Sequence, residues 1–373
     1  MTTWEGPVVD RGALRGRVVV AMSGGVDSSY VATLLHDEGY DVVGIAMRLY
    51  ASAEAQGKSC CSPDDLRDAR EVASAAGFPF YVANYQEAFR ERVMAYFIDE
   101  YRRGRTPSPC VLCNDHLKFD VLLQRMEALG GAFLATGHYA RVEETEEGRW
   151  RLLRGVDAAK DQSYFLFGLS RAVLPRLRFP LGGLTKAEVR ERAETRGVPT
   201  ATKAESQDIC FVSGGHYAAF VEARLAPEER RPGIIRRFGT GEVLGGHEGI
   251  HQFTVGQRRG LGVAAAEPLY VHSLHADTGE VWVGTRDEVV FSSFRIERCN
   301  WLRWDVPPPT FEARVQVRYR HRPVAARLTR VSPDGAVMEV HLERSEPALA
   351  IGQAAVFYEG DEVLGGGWIE ETR

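Results

Sequence analysis

Residues 21–29, Ala-Met-Ser-Gly-Gly-Val-Asp-Ser-Ser, join a short apolar strand at 17–21 to a helix at 28–38, and no other stretch constrains the fold as tightly. A run of small residues at the carboxyl end of a parallel strand is where phosphates bind. Gly24 and Gly25 let backbone N–H groups approach an anion without a Cβ in the way. Ser23 and Ser28 add hydroxyl donors, and the helix N-terminus supplies a favourable potential. Asp27 has no obvious place beside bare phosphate, and makes better sense holding Mg²⁺ or capping the helix. No Lys occupies the loop, so the Walker pattern GxxxxGKS/T is absent, and GxGxxG is absent too, which weakens NTPase and dinucleotide readings.

The neighbouring pattern extends this junction into an architecture. Strand-like text at 41–47, 80–83 and 132–136 alternates with helical spacing at 64–76 and 85–101, the signature of βαβ units in a doubly wound parallel sheet. After Ser213 the pattern changes: Pro227, Pro232 and Gly233 break the chain, and short Gly-rich strands replace long helices. From 291 onward, alternating stretches at 311–319 and 336–342 predict half-buried strands of a C-terminal β-barrel or sandwich. The expected division is 1–213, an α/β catalytic domain; 214–288, a small central domain; and 289–373, a β-barrel domain. A chain of 373 residues is long enough for two or three such modules. No apolar stretch approaches the ~20 residues of a membrane span, so a cytoplasmic protein with no membrane partner is expected.

A net charge of −5 gives no global sign of nucleic-acid binding, but the charge is uneven. Between 291 and 330 there are nine Arg against three acids, interleaved with Trp301, Trp304, Tyr319 and His321, a composition that suits RNA as well as a solvated surface. Six cysteines, at 60, 61, 110, 113, 210 and 299, read as reactive or metal-binding thiols more readily than as structural disulfides in a reducing compartment.

The loop Ser23-Gly24-Gly25-Val26-Asp27-Ser28 resembles the PP-loop of ATP pyrophosphatases. Further text narrows the resemblance: Gly104-Arg105-Thr106-Pro107-Ser108-Pro109-Cys110-Val111-Leu112-Cys113-Asn114, Thr136-Gly137-His138-Tyr139-Ala140-Arg141, Lys160-Asp161-Gln162-Ser163-Tyr164-Phe165 and Ser206-Gln207-Asp208-Ile209-Cys210-Phe211. With residues 254–262, 317–320 and 352–358 these closely resemble the tRNA-specific 2-thiouridylases, the MnmA/TrmU family, in order along nearly the whole chain.

The resemblance implies an adenine nucleotide alpha hydrolase-like first domain and replacement of the C2 oxygen of the wobble uridine by sulfur. ATP would adenylate the oxygen, releasing pyrophosphate, and a cysteine persulfide would deliver sulfur as AMP leaves. Carried over by motif position, Cys113 is the nucleophilic cysteine and Cys210 the persulfide carrier, the pair ending as a disulfide that a reductant reopens. Ala21, Met22, Ser23, Gly24, Gly25, Val26, Asp27 and Ser28, with Met47 and Gly137, would hold ATP and its Mg²⁺. Ser108, Pro109, Cys110, His138, Lys160, Asp161, Gln162, Arg318, Tyr319 and Gln353 would contact tRNA at its anticodon loop. A cysteine desulfurase or sulfur-relay protein would load the persulfide.

One departure stands out: much of the family has Asn-Pro-Asp where this chain has Ser108-Pro109-Cys110, so a carboxylate is replaced by a thiol. An Fe–S cluster on Cys110, Cys113 and Cys210 is the alternative to the persulfide route. Two other readings of the whole chain remain: a PP-loop amidase or ligase using an amine nucleophile, and a non-catalytic tRNA-binding protein regulated by nucleotide.

Overall fold

The computed structural model describes residues 15–50, 62–204, 209–212 and 216–373. Cys60, Cys61 and Ser206-Gln207-Asp208 of the last cysteine motif lie outside them. The described elements begin with β1 (Arg17–Ala21), α1 (Val26–Asp37), β2 (Asp41–Arg48), α2 (Pro63–Ala76), β3 (Phe80–Asn84) and α3 (Gln86–Phe89). A π-helical turn (Arg90–Met94), α4 (Ala95–Arg102), α5 (Pro109–Cys113), a second π-helical turn (Asn114–Phe119) and α6 (Asp120–Ala128) follow. Then come β4 (Phe133–Thr136), β5 (Ala140–Glu144), β6 (Trp150–Arg154), β7 (Leu177–Arg178) and α7 (Lys186–Thr195).

The chain folds as two compact units, one of residues 1–92, 110–215 and 361–363, the other of 93–109, 216–360 and 364–373. In the first, an all-parallel sheet has the strand order β3-β2-β1-β4-β7. Val18, Val19 and Val20 are buried, which is why β1 reads as an unbroken apolar run and not an alternating one. α1, α2 and α7 share one core with the sheet, through Tyr30, Val31, Val72, Ala73 and Val189. Two of these helices start at capping boxes, Ser62 with Asp65 and Thr185 with Glu188, and α2 also carries Pro63 in its first turn and ends at Gly77 with φ +81°. β5 and β6 form an antiparallel hairpin that the sequence reading did not anticipate. The helix expected over 85–101 is broken into α3, the π-helical turn and α4.

The second unit adds α8 (Tyr217–Glu222), β8 (Gly233–Arg237), β9 (Val243–His247), β10 (Tyr270–His275) and β11 (Glu280–Gly284). It ends with β12 (Val290–Trp301), β13 (Thr310–Gln316), β14 (Val324–Arg330), β15 (Met338–Pro347), β16 (Ala354–Glu359) and β17 (Glu362–Thr372). β10-β11-β8-β9 make a small sheet around Ile235, Val271, Val281 and Val283. β12-β15-β14-β13-β16-β17 close into a six-stranded barrel through the β12–β17 pairing, around Phe294, Val315, Leu328, Val340 and Phe357. The expected doubly wound sheet, central module and C-terminal barrel are therefore present. The strand expected over 311–319 stops at Gln316, because the chain turns at 318–321, where Arg320 takes φ +63°.

Candidate active site

Strand order reverses between β2-β1 and β4, so the loops leaving β1 and β4 open a crevice at the carboxyl edge of the sheet. Residues 21–28 occupy that crevice. Met22 N–H donates to Ile45 O at 2.8 Å, and Ser23 N–H donates to Ser28 Oγ at 3.0 Å, which folds the loop back over the start of α1. Gly24 has φ +74°, and a Cβ there would lie 2.1 Å from Asp65 O, so glycine is required on two grounds. Gly25 is the N-cap and makes no side-chain cap, which leaves the first-turn amides of α1 available to an anion. From β4, Gly137 closes the crevice: a Cβ on it would stand 3.0 Å from Ser28 N and 3.1 Å from Asp27. Ala21–Ser28 and Gly137 are thus brought together, while Met47 is buried near the carboxyl end of neighbouring β2.

Asp27 is not a helix cap but the centre of an ion pair. Its two carboxylate oxygens accept from Lys186 Nζ at 2.7 and 2.8 Å, with Tyr139 OH donating to Oδ1 at 2.8 Å. Lys186 is the first residue of α7; the Thr185 capping box and a 2.9 Å bond from its own N–H to Asp157 aim it, and its side chain is buried. Lys203 supports the other side of the loop, donating to Gly24 O at 3.0 Å, to Asp65 at 2.6 Å and to Asp68. Sequence reasoning missed both lysines. Their signal was weak, since each lies more than 150 residues from the loop it serves.

Cys113 ends α5 and is buried; Cys210 is half-buried in the described segment 209–212; Cys110 is exposed. Asn114, next to Cys113, donates from Nδ2 to Phe165 O at 3.2 Å, and Phe211, next to Cys210, packs its ring edge-on to Phe89 at 5.4 Å. Asp115, in the π-helical turn, has its carboxyl pushed up to about 6 by burial, with Asp120 adding to the rise against the nearby His116. Among the described residues no group of three or more His, Cys, Asp and Glu side chains could hold a metal ion. Cys299, to which sequence assigned no role, has its thiol pushed far up by burial.

Several residues expected at tRNA also bond within the fold. His138 is buried between Phe119 and Phe179, its Nδ1 sits 2.6 Å from Thr136 Oγ1, and burial, with the charge of Lys118, lowers its pKa well below the usual imidazole value. It is a satisfied core histidine. Asp161 is buried, accepting from Gly155 N–H, Ser163 N–H, Ser163 Oγ and Arg154 at 3.0–3.1 Å. Gln162 clamps Tyr139 by two bonds, Gln162 N–H to Tyr139 O at 2.9 Å and Tyr139 N–H to Gln162 Oε1 at 3.0 Å. The motif thus steadies the tyrosine that holds Asp27, and within it Lys160 is only partly buried.

In the second unit, Gln353 Nε2 donates to Thr106 O at 3.0 Å and Pro107 O at 3.1 Å, so it holds the backbone entering the buried Ser108 and Pro109. Arg105 reinforces that hold with a bidentate pair to Glu370 at 2.6 and 2.8 Å and a bond to Glu100 at 2.7 Å. Arg318 donates to Pro347 O, and Tyr319 is half-buried, with the guanidinium of Arg320 5.4 Å from its ring centroid. In the arginine-rich window Arg295, Arg298, Arg303 and Arg327 are ion-paired, Arg298 and Arg327 at exposed positions, and Trp301 is buried in the barrel, donating to Gly335 O.

Comparison with known proteins agrees with this layout. Residues 16–214 match the family described as tRNA methyl transferase HUP domain, 218–285 the tRNA methyl transferase PRC-barrel domain, and 291–369 the aminomethyltransferase beta-barrel domain. The tRNA-specific 2-thiouridylase MnmA of Geotalea uraniireducens is 47% identical over 364 residues, 96% of either chain. That of Solibacter usitatus is 48% identical over 369 residues, 95% of this chain and 99% of the other. Among solved structures, the U34-tRNA thiolase NcsA of Methanococcus maripaludis with its 4Fe-4S cluster is 16% identical, with a TM-score of 0.34 over 61% of this chain and 71% of its own. That likeness is too low to carry an argument about cofactor or site.

Proposed function

The chain belongs to the tRNA-specific 2-thiouridylase family, and on that premise we propose how its residues divide the reaction. It is an ATP-dependent tRNA sulfurtransferase, and the observation that carries this reading is 47% identity across 96% of both chains. The crevice at 21–28 and Gly137 receives the triphosphate, with the α1 amides and Ser23 facing the charge. ATP adenylates the C2 oxygen of the wobble uridine and pyrophosphate leaves. The Cys210 persulfide then attacks C2 with its terminal sulfur, and Cys113 attacks the inner sulfur. AMP departs, sulfur stays on the base, and a Cys113–Cys210 disulfide remains.

Asp27, with both oxygens on Lys186 and one also on Tyr139, is a poor ready-made ligand for Mg²⁺. Lys160 and the exposed arginines of the barrel, Arg320 and Arg322, suit the tRNA backbone. A cysteine desulfurase or relay protein loads Cys210, and the enzyme works in the cytoplasm, on 1–213 as the catalytic part, 214–288 as a central part and 289–373 as the barrel.

The test is formation of 2-thiouridine on unmodified tRNA from ATP and a persulfide donor, with pyrophosphate and AMP measured. Thiolation by wild type and none by Cys113→Ser or Cys210→Ser is the expected result. An amidase or ligase would keep its ATP cleavage in both variants with no sulfur incorporated; a regulated binder would hold tRNA and cleave no ATP.

A further inference from the structure

Cys110 stands three residues before Cys113 on the same helix, α5. An α-helix rises 1.5 Å and turns 100° per residue at a radius of about 2.3 Å, which sets Cα atoms three apart at about 5 Å. That falls inside the window of about 4.4–6.8 Å in which a disulfide closes without moving the backbone. The two thiols differ in access: Cys113 is buried and Cys110 exposed. A disulfide from Cys113 to the half-buried Cys210 would be shielded from a reductant the size of a protein, and exchange depends on such access.

We propose that Cys110 is a resolving thiol that carries the oxidised state from the buried site to the surface. This rests on the persulfide reading above. The Cys110 thiolate attacks Sγ of Cys113 in the Cys113–Cys210 disulfide; the new Cys110–Cys113 bond forms as the old one breaks, and the electron pair leaves with Cys210 as thiolate. No net oxidation occurs in that step. A dithiol protein then reduces Cys110–Cys113, taking the disulfide onto itself and returning two thiols. Cys210 is released before the reductant arrives, so it can be reloaded with sulfur at once. The i, i+3 spacing directs attack to Cys113 and not to Cys210.

The experiment follows the oxidised enzyme. Persulfide-loaded wild type and Cys110→Ser complete one turnover on tRNA without reductant; remaining thiols are then alkylated and the peptides mapped. In wild type a fraction of chains should show alkylated Cys210 and a Cys110–Cys113 peptide lighter by two hydrogens. In Cys110→Ser only the Cys113–Cys210 cross-link should appear. Thioredoxin, as the dithiol protein, should reopen that cross-link about tenfold more slowly than it reopens wild type, while a small phosphine reopens both alike. Equal rates with thioredoxin, or no light peptide from wild type, overturn the resolving role. A cross-link absent from both proteins after sulfur has reached the base overturns the persulfide reading beneath it as well.

Discussion

Asp27 and Glu370 are both carboxylates held by cations, one at the crevice of the first unit and one in the second. Asp27 is held by a lysine, a point charge on a flexible stem, and by one phenol. Glu370 is gripped by the planar fork of Arg105 through two bonds and by Arg298 through a third. Lysine gives up its partner at little geometric cost, whereas a bidentate arginine fixes both orientation and distance. The contrast sets a pair that fixes charge but little orientation against a brace that fixes both.

The sharpest way to break the contrast is at Lys186. Lys186→Met should lower ATP-dependent 2-thiouridine formation by about a hundredfold, ~2.7 kcal/mol of barrier, with a smaller effect on the melting temperature. Activity within threefold of wild type would make the pair mere scaffold. At the brace the order of effects should reverse. Arg105→Ala strands Glu100 and leaves Glu370 to Arg298 alone, and for this partly buried network the cost should be about 2 kcal/mol in denaturant unfolding. The double variant Arg105→Met with Glu370→Met should cost less than the sum of the singles. Additive losses would mean that the two side chains do not cooperate.

What the sequence disclosed follows the same division. Gly24, Gly25, Ser28 and Gly137 were legible because their roles are imposed by backbone geometry within a strand, a turn and a helix start, which leave a local pattern. Lys186 and Lys203 were not, because a lysine in a helix start or a loop looks the same whether it faces solvent or reaches a loop folded against it. For His138 and Asp161 the motif text likewise left their burial unread: a motif shows which residues go together, not whether they face outward. Gln353 was expected at tRNA, and the bonds of its amide to the backbone at 106–107 left no mark in the sequence.

The smallest effect lies between the two regions in kind. Asp115 has a folded pKa of about 6 against an ordinary 3.8, so the folded chain binds the proton more tightly than the unfolded one. Its contribution to stability falls as pH rises from about 4 through 6, then stays low. Asp115→Asn should therefore stabilise the protein more at pH 8 than at pH 5, by at most about 1 kcal/mol after solvent screening. Unfolding midpoints at the two pH values read it directly, and an equal gain at both would remove burial of the charge as the cause.

The π-helical turn at Asn114–Phe119 has a consequence in the currency of insertions and deletions. A π turn holds one residue more than the α-helix it interrupts. Losing one residue there would let the turn tighten to a regular helix with α5 and Cys113 keeping nearly their face toward α6, whereas losing a second would swing them about 100° around the axis. Between Cys113 and Asp120 the gene therefore has slack of one codon and no more: the first loss is taken up by the turn, and the next would point the nucleophile elsewhere.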